Sequence, residues 1–208
     1  MKISKGGAIS IFVIFFVLAD QIIKFAVKLN MTIGESVPVF GHWFRILFIE
    51  NNGMAFGLQW GGVFGKLLLS VLRLALIAFI IYFIVKKLLR DPATPKGVFI
   101  GVSLVLVGAI GNELDSIFYG VLFDESTYSH IAGLLPAAGG YAPLLCGRVV
   151  DMFYFPIIDT VLPDWVPFWG GEPFVFFRPV FNLADACISV GFLYLLFFQS
   201  KFLFSKGR

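Results

Sequence analysis

The sequence predicts an all-α membrane protein: four transmembrane helices carrying a small outer-side β-sheet and a short interfacial helix, in a single domain over residues 1–208. Three observations lead there. Hydrophobic residues make up 59% of the chain and charged residues 14%, whereas a soluble domain carries about 25% charged residues; that composition cannot cover a whole surface for water. Four apolar stretches, at about 9–27, 67–85, 97–114 and 183–200, approach the roughly 20 residues with which a helix crosses a hydrocarbon core about 30 Å thick. Finally, residues 1–8, 86–97 and 201–208 hold nine of the 16 Lys and Arg against one acid, Asp91. Cytoplasmic segments collect basic residues, so both termini and the 86–97 loop are expected in the cytoplasm, with residues 30–66 and 115–182 outside.

The first apolar run starts after Lys2 and Lys5, extends from Ile9 to Val27 and ends among Lys24, Lys28 and Asn30. It lacks the short core and small-residue cleavage site of a removable leader and reads as a retained signal anchor. Asp20 and Lys24, four apart, share a helix face near its outer end. They are either a local pair of opposite sign or part of a functional site.

In the first outer segment, Val37–Glu50 is rich in β-branched and aromatic residues and predicts one or two short strands. Asn51-Asn52-Gly53 marks a turn. Met54–Gly62, apolar with glycine breaks, predicts the interfacial helix, and Trp43 and Trp60 suit the headgroup level. The second span contains Arg73. The third carries Gly108 and Gly111, which allow close approach of another helix, and ends in Asn112 and Asp115 on one face.

The second outer segment is punctuated by Gly133, Pro136, Gly139, Gly140 and Pro143, then by Pro156, Pro163, Pro167, Pro173 and Pro179. It predicts mostly loop, held at the membrane surface by its aromatics. Asp151 is a single acid inside the apolar run Val149–Phe155. Asn182 and Asp185 open the fourth span with the same Asn-x-x-Asp spacing; Asn182 suits an N-cap, and Asp185 falls where unpaired N–H groups favour negative charge.

Ionisable residues at membrane depth are functional candidates by default. Capping explains Asp185 alone, but not why three of four helices place an acid at the same outer boundary. Two carboxylates sharing a proton can divide the roles of general base and general acid. His42 and His130 match no metal motif, no Ser-His or Cys-His arrangement appears, and Cys146 and Cys187 read as free thiols. No metal, cofactor or nucleic acid is therefore expected. The acids by themselves leave a membrane hydrolase, a transport component and a scaffold all open.

Five motifs occur in order: Asp20-Gln21-Ile22-Ile23-Lys24, Asn52-Gly53-Met54-Ala55-Phe56-Gly57, Gly111-Asn112-Glu113-Leu114-Asp115, Val149-Val150-Asp151-Met152 and Phe181-Asn182-Leu183-Ala184-Asp185. Together they closely resemble the lipoprotein signal peptidase family, the bacterial signal peptidase of type II, over residues of about 10 to 200. The resemblance implies a metal-free aspartic endopeptidase of the bacterial cytoplasmic (inner) membrane. Its active site would lie at the outer or periplasmic face, cutting prolipoproteins immediately before a Cys that carries diacylglycerol. It implies Asp151 and Asp185 as the catalytic pair, with Asn52, Asn112, Asp115 and Asn182 supporting the pair or holding substrate backbone. Asp20 matches a further family acid, and Lys24 accompanies it. Membrane lipids are the other expected partners, and a monomer is expected. The rival readings are a catalytically inactive lipoprotein-binding member of the same fold and a transport component. Two departures stand out. Ser116 follows Asp115 where the family usually has Arg, and Arg148 precedes the two valines where it usually has His. Arg148 is a candidate supplier of the missing positive charge to Asp115, with Arg178 as the alternative; the other reading is that both are ordinary surface arginines that touch lipid headgroups. The loops at 119–147 and 156–179 are also longer than the family pattern.

Overall fold

A computed structural model describes residues 3–52 and 62–205. Helix α1 (Lys5–Lys28) starts at Ser4, whose hydroxyl accepts the Gly7 N–H as an N-cap. Strands β1 (Ser36–Phe40) and β2 (Phe44–Asn51) form an antiparallel hairpin. Helix α2 (Gly62–Phe83) is prolonged by a π-helical turn, Ile84–Leu88. Helix α3 (Lys96–Leu114) continues through a π-helical turn, Asp115–Tyr119, into the short α4 (Gly120–Leu122). Strands β3 (Val149–Tyr154), β4 (Ile158–Val161), β5 (Pro173–Phe176) and β6 (Val180–Phe181) precede α5 (Leu183–Phe198) and α6 (Ser200–Ser205).

Among the described residues, three helices are long and apolar enough to cross a membrane: Lys5–Lys28, Gly62–Leu88 and Lys96–Leu122. The predicted second span therefore starts earlier than expected, at Gly62. The fourth, α5, has 16 residues, about 24 Å of helix, and is shorter than the other three. The expected interfacial helix lies outside the described residues apart from Gly62, which opens α2. Outward-facing Ile11, Phe15, Leu18 and Ile22 on α1, with Phe64, Leu72, Leu76 and Phe79 on α2, are exposed. In water such a surface would be an aggregation liability; in a bilayer it is the solvent-facing side.

Helix α3 is the central one. Of its apolar window 61% is buried, against 11% for α1 and 17% for α2, because α1, α2 and α5 all pack on it. The α3–α5 contact is close because glycines face backbone: a Cβ on Gly108 would stand 2.2 Å from the Ala184 carbonyl oxygen, and one on Gly191 2.8 Å from that of Gly101. Val13, Val17, Val98, Val102, Leu106, Val107 and Cys187 fill the helical core.

The second outer segment departs from the expectation of loop. It contributes β3 and β6 to a four-stranded antiparallel sheet, order β1-β2-β3-β6, and forms a separate β4–β5 hairpin. The pattern hid these strands for opposite reasons. The first four residues of β3 are all buried and the whole of β4 is exposed, so neither shows the alternation that marks a half-buried strand. A second core of Val27, Met31, Phe48, Tyr119, Phe123, Val150 and Met152 joins this sheet to the ends of α1 and α3. Both cysteines are free and buried.

Candidate active site

The site forms where the end of α1, the end of α3, the start of α5 and strand β3 converge. Local rules place each polar group. Asn182 is the N-cap of α5 and accepts the Asp185 N–H at 2.8 Å, while the Asp185 carboxylate accepts the Asn182 N–H at 3.3 Å. This reciprocal capping box leaves the other oxygen of Asp185 to accept from Asn112 Nδ2 at 2.7 Å. Asn112 reaches it because α3 and α5 are in glycine contact one to two turns away.

Asp151 comes from the sheet. Its partner in the β2 ladder is Ile49; Asn51 lies two residues further along β2, on the same face and diagonal to Asp151. The Asn51 amide donates to Asp151 Oδ2, and Asn182 Nδ2 donates to Oδ1 at 2.7 Å. The same Asn182 nitrogen lies 3.0 Å from Asn112 Oδ1 and 3.2 Å from the Val150 carbonyl. Asn182 thus connects the two aspartates, contacting the side chain of one and capping with the other. Asp151 is 2% exposed and Asp185 half-buried. Burial, and then the neighbouring Asp185 carboxylate, push the Asp151 carboxyl up to about 8, with Lys24, Asn182 and Asn51 acting in the opposite direction.

Behind the pair lies a fully buried cation. Lys24 Nζ is 2.9 Å from Asp20 Oδ2, 2.8 Å from Asp115 Oδ2 and 3.0 Å from Asn112 Oδ1. Asp20 also accepts the Ala184 N–H at 2.9 Å. Asp115 accepts from Gln21 Nε2 at 2.9 Å and from the Val150 N–H at 3.2 Å. One lysine on α1 thereby connects α1 and α3, while the two acids beside it hold backbone of α5 and β3.

The charge expected from Arg148 comes from elsewhere. Arg148 pairs with Glu125 at 2.8 Å and Glu50 at 3.5 Å, and Lys24 is the cation on Asp115. The geometric reason is that residues three apart along an extended chain point to opposite sides. Arg148 therefore shares a side with Val150, whose ladder partner is Glu50, and not with Asp151. Lys28 completes that second polar cluster through Glu50 and Ser126. Arg178 contacts only the Pro173 carbonyl, at 3.5 Å, among the described residues.

Of the predicted residues, Asp20, Lys24, Asn112, Asp115, Asp151, Asn182 and Asp185 form one connected network. Asn52 adjoins it through its carbonyl, which accepts from Lys66 Nζ at 2.9 Å. Asn51, Gln21 and Lys66 also contact the network, and no sequence pattern singles them out. Asn51 was legible only with the β2–β3 register in hand. Gln21 was hidden because it adjoins Asp20 and reads as part of an ordinary polar helix end. Lys66 sat at the edge of an apolar span with nothing to show that it points inward.

The model of the family described as signal peptidase II matches residues 12–201. A lipoprotein signal peptidase of Porphyromonas gingivalis is 47% identical over 195 residues, covering 94% of this chain and 84% of that one. One from Amoebophilus asiaticus is 38% identical over 177 residues, 84% of this chain and 70% of the other. Two solved structures, each described as a bacterial membrane enzyme, share the fold. One has a TM-score of 0.62 at 21% identity, covering 100% of this chain and 96% of that one. The other has a TM-score of 0.60 at 22% identity and 94% coverage of both. With a family match that extends from α1 through α5 and so includes the whole polar network, this chain belongs to the signal peptidase II family.

Proposed function

We propose that the protein removes the signal peptide of diacylglyceryl-modified prolipoproteins by cleaving before the lipidated Cys, with Asp151 and Asp185 as the catalytic pair. The observation that carries this is the Asn182 connection: two acids 34 positions apart in the chain are brought to one place and joined through one amide. In this reading the pair holds one proton at neutral pH, on Asp151, whose carboxyl is pushed up to about 8 by burial and by the neighbouring Asp185 carboxylate. Asp185 takes a proton from water as the water oxygen attacks the scissile carbonyl carbon. Protonated Asp151 donates to the carbonyl oxygen, giving a neutral tetrahedral diol. As the C–N bond breaks, Asp185 returns its proton to the leaving amine and the diol returns a proton to Asp151. Asn51, Asn112 and Asn182 hold the two carboxyls in register throughout, and no metal is required.

The same reading makes the segment at about 183–200, α5 with the bend at Gln199 that follows it, the fourth span. That run is about 27 Å long, close to the thickness of a hydrocarbon core. Both termini face the cytoplasm and the site faces the outer side of a bacterial cytoplasmic membrane, supported by the basic excess at 1–8, 86–97 and 201–208.

The test is cleavage of a purified diacylglyceryl-modified precursor. Asp151→Asn and Asp185→Asn should each lower the rate by about 10²- to 10⁴-fold with the thermal unfolding transition retained. Wild-type cleavage by either variant would sink the assignment. Cleavage by the parent protein should also decline as pH rises through about 8, where Asp151 gives up its proton.

A further inference from the structure

Helix α2 contributes no member of the Asp and Asn network, yet one of its cations turns inward. Lys66 is 8% exposed. Its ammonium donates to the Asn52 carbonyl at 2.9 Å and to Ser116 Oγ at 3.2 Å. Ser116 in turn donates to the Asn112 carbonyl at 3.3 Å. Among the described residues no carboxylate lies within ion-pairing distance of Lys66. A buried ammonium is retained only where its N–H groups are satisfied, and here a backbone carbonyl and a hydroxyl do so.

The carbonyl it holds is informative. Asn52 follows directly on Asn51, the last residue of β2, and Asn51 donates its side-chain amide to Asp151. Asn51 keeps a ladder partner in Val149, Asn52 lies beyond the strand, and small displacements of a group contacting a catalytic carboxyl have large consequences. Lys66 fastens this strand end to α2 on one side and to α3, through Ser116, on the other. We infer that Lys66 is a positioning residue of the peptidase site: its ammonium clamps the Asn52 carbonyl and so keeps Asn51 aimed at Asp151. This rests on the assignment of Asp151 as catalytic.

The inference separates from that assignment by a readout that does not require turnover. The protonated carboxyl band of Asp151, identified in the infrared spectrum as the band missing from Asp151→Asn, is titrated in detergent. In Lys66→Met its midpoint should rise, since a donor that favours the carboxylate is loosened. In Lys66→Arg, which keeps a donor at the carbonyl, it should move back toward the parent. In an Asn51→Ala background, Lys66→Met should add little, because the clamp then has nothing to aim. Where the parent cleaves precursor, kcat of Lys66→Met should fall between about 10- and 100-fold with KM changed by less than the fall in kcat. An unchanged midpoint and kcat in Lys66→Met overturns the inference. So does an equal shift with and without Asn51, which would make Lys66 a distant charge and not a clamp. If the parent protein fails to cleave, the peptidase reading falls while the titration still decides what Lys66 does to Asp151.

Discussion

Lys24 shows how much one side chain can join together. Two carboxylates with no solvent exposure to speak of, Asp20 at 1% and Asp115 at 0%, would repel each other strongly in a medium of low dielectric. A single ammonium within 2.9 Å of both offsets that repulsion. The remaining negative charge is taken up by Gln21 and by the N–H groups of Val150 and Ala184. Lys24→Met should therefore destabilise the protein by about 3–5 kcal/mol, the usual cost of leaving a buried charge without its partner. Arg148→Ala, at a part-exposed side chain pairing with exposed Glu125 and with buried Glu50, should cost less, because Glu50 keeps its Lys28 partner. Thermal unfolding of both variants in one detergent decides this; equal losses would contradict the placement of Lys24 at the centre of the site.

Helix α3 positions more of the site than any other segment, and two departures from plain helix let it do so. Gly108 and Gly111 bring α5 against it, so that Asn112 meets the capping box of α5. The π-helical turn that begins at Asp115 then widens the helix where Asp115, Ser116 and Tyr119 face inward; such turns recur at functional sites. Gly108→Leu would drive a side chain into the Ala184 carbonyl and Ile188. Overpacking of this kind typically costs about 1–3 kcal/mol, and here it would also part Asn112 from Asp185. Both unfolding temperature and cleavage should fall. Gly6→Ala is the control, since among the described residues its Cβ would meet only Leu89 at an ordinary 3.5 Å. A Gly108→Leu variant with parental stability and rate would mean that the α3–α5 spacing is not what sets the site.

The molecule divides into a helical part with lipid-facing sides and a sheet-bearing part gathered at one end. Charge follows the same division among the described residues, with Lys5, Lys86, Lys87, Arg90, Lys96 and Lys201 at the helix ends away from Asp115, Asp151 and Asp185. Reporter fusions at both termini and in the 86–97 loop should thus read cytoplasm, and fusions at the Gly41–Trp43 turn and near Leu135 should read outside. A cytoplasmic reading at Leu135 would reverse the whole arrangement, because β3 and its aspartate follow that segment without an intervening span.

Composition and hydrophobic run length by themselves located three helices long and apolar enough to cross a membrane, though not their ends, because a backbone in lipid has to satisfy its own hydrogen bonds and needs a fixed length to cross. Spacing along a helix likewise determined which acids and amides share a face: Asp20 with Lys24, Asn112 with Asp115, Asn182 with Asp185. These are local facts, set by residues three or four apart. The contacts between segments were decided only by the tertiary structure. Nothing in Val149–Tyr154 says that it pairs with β2 so that Ile49 faces Asp151, and that register is what selects Asn51 as a partner and turns Arg148 away to Glu50. Nor does the sequence of α2 show that Lys66 reaches Asn52. A one-residue change of register reverses every side chain of a strand, and a lysine stem reaches wherever packing leaves it a path. Partners far apart in the chain therefore follow from how the elements pack together, and the local pattern of either partner does not contain them.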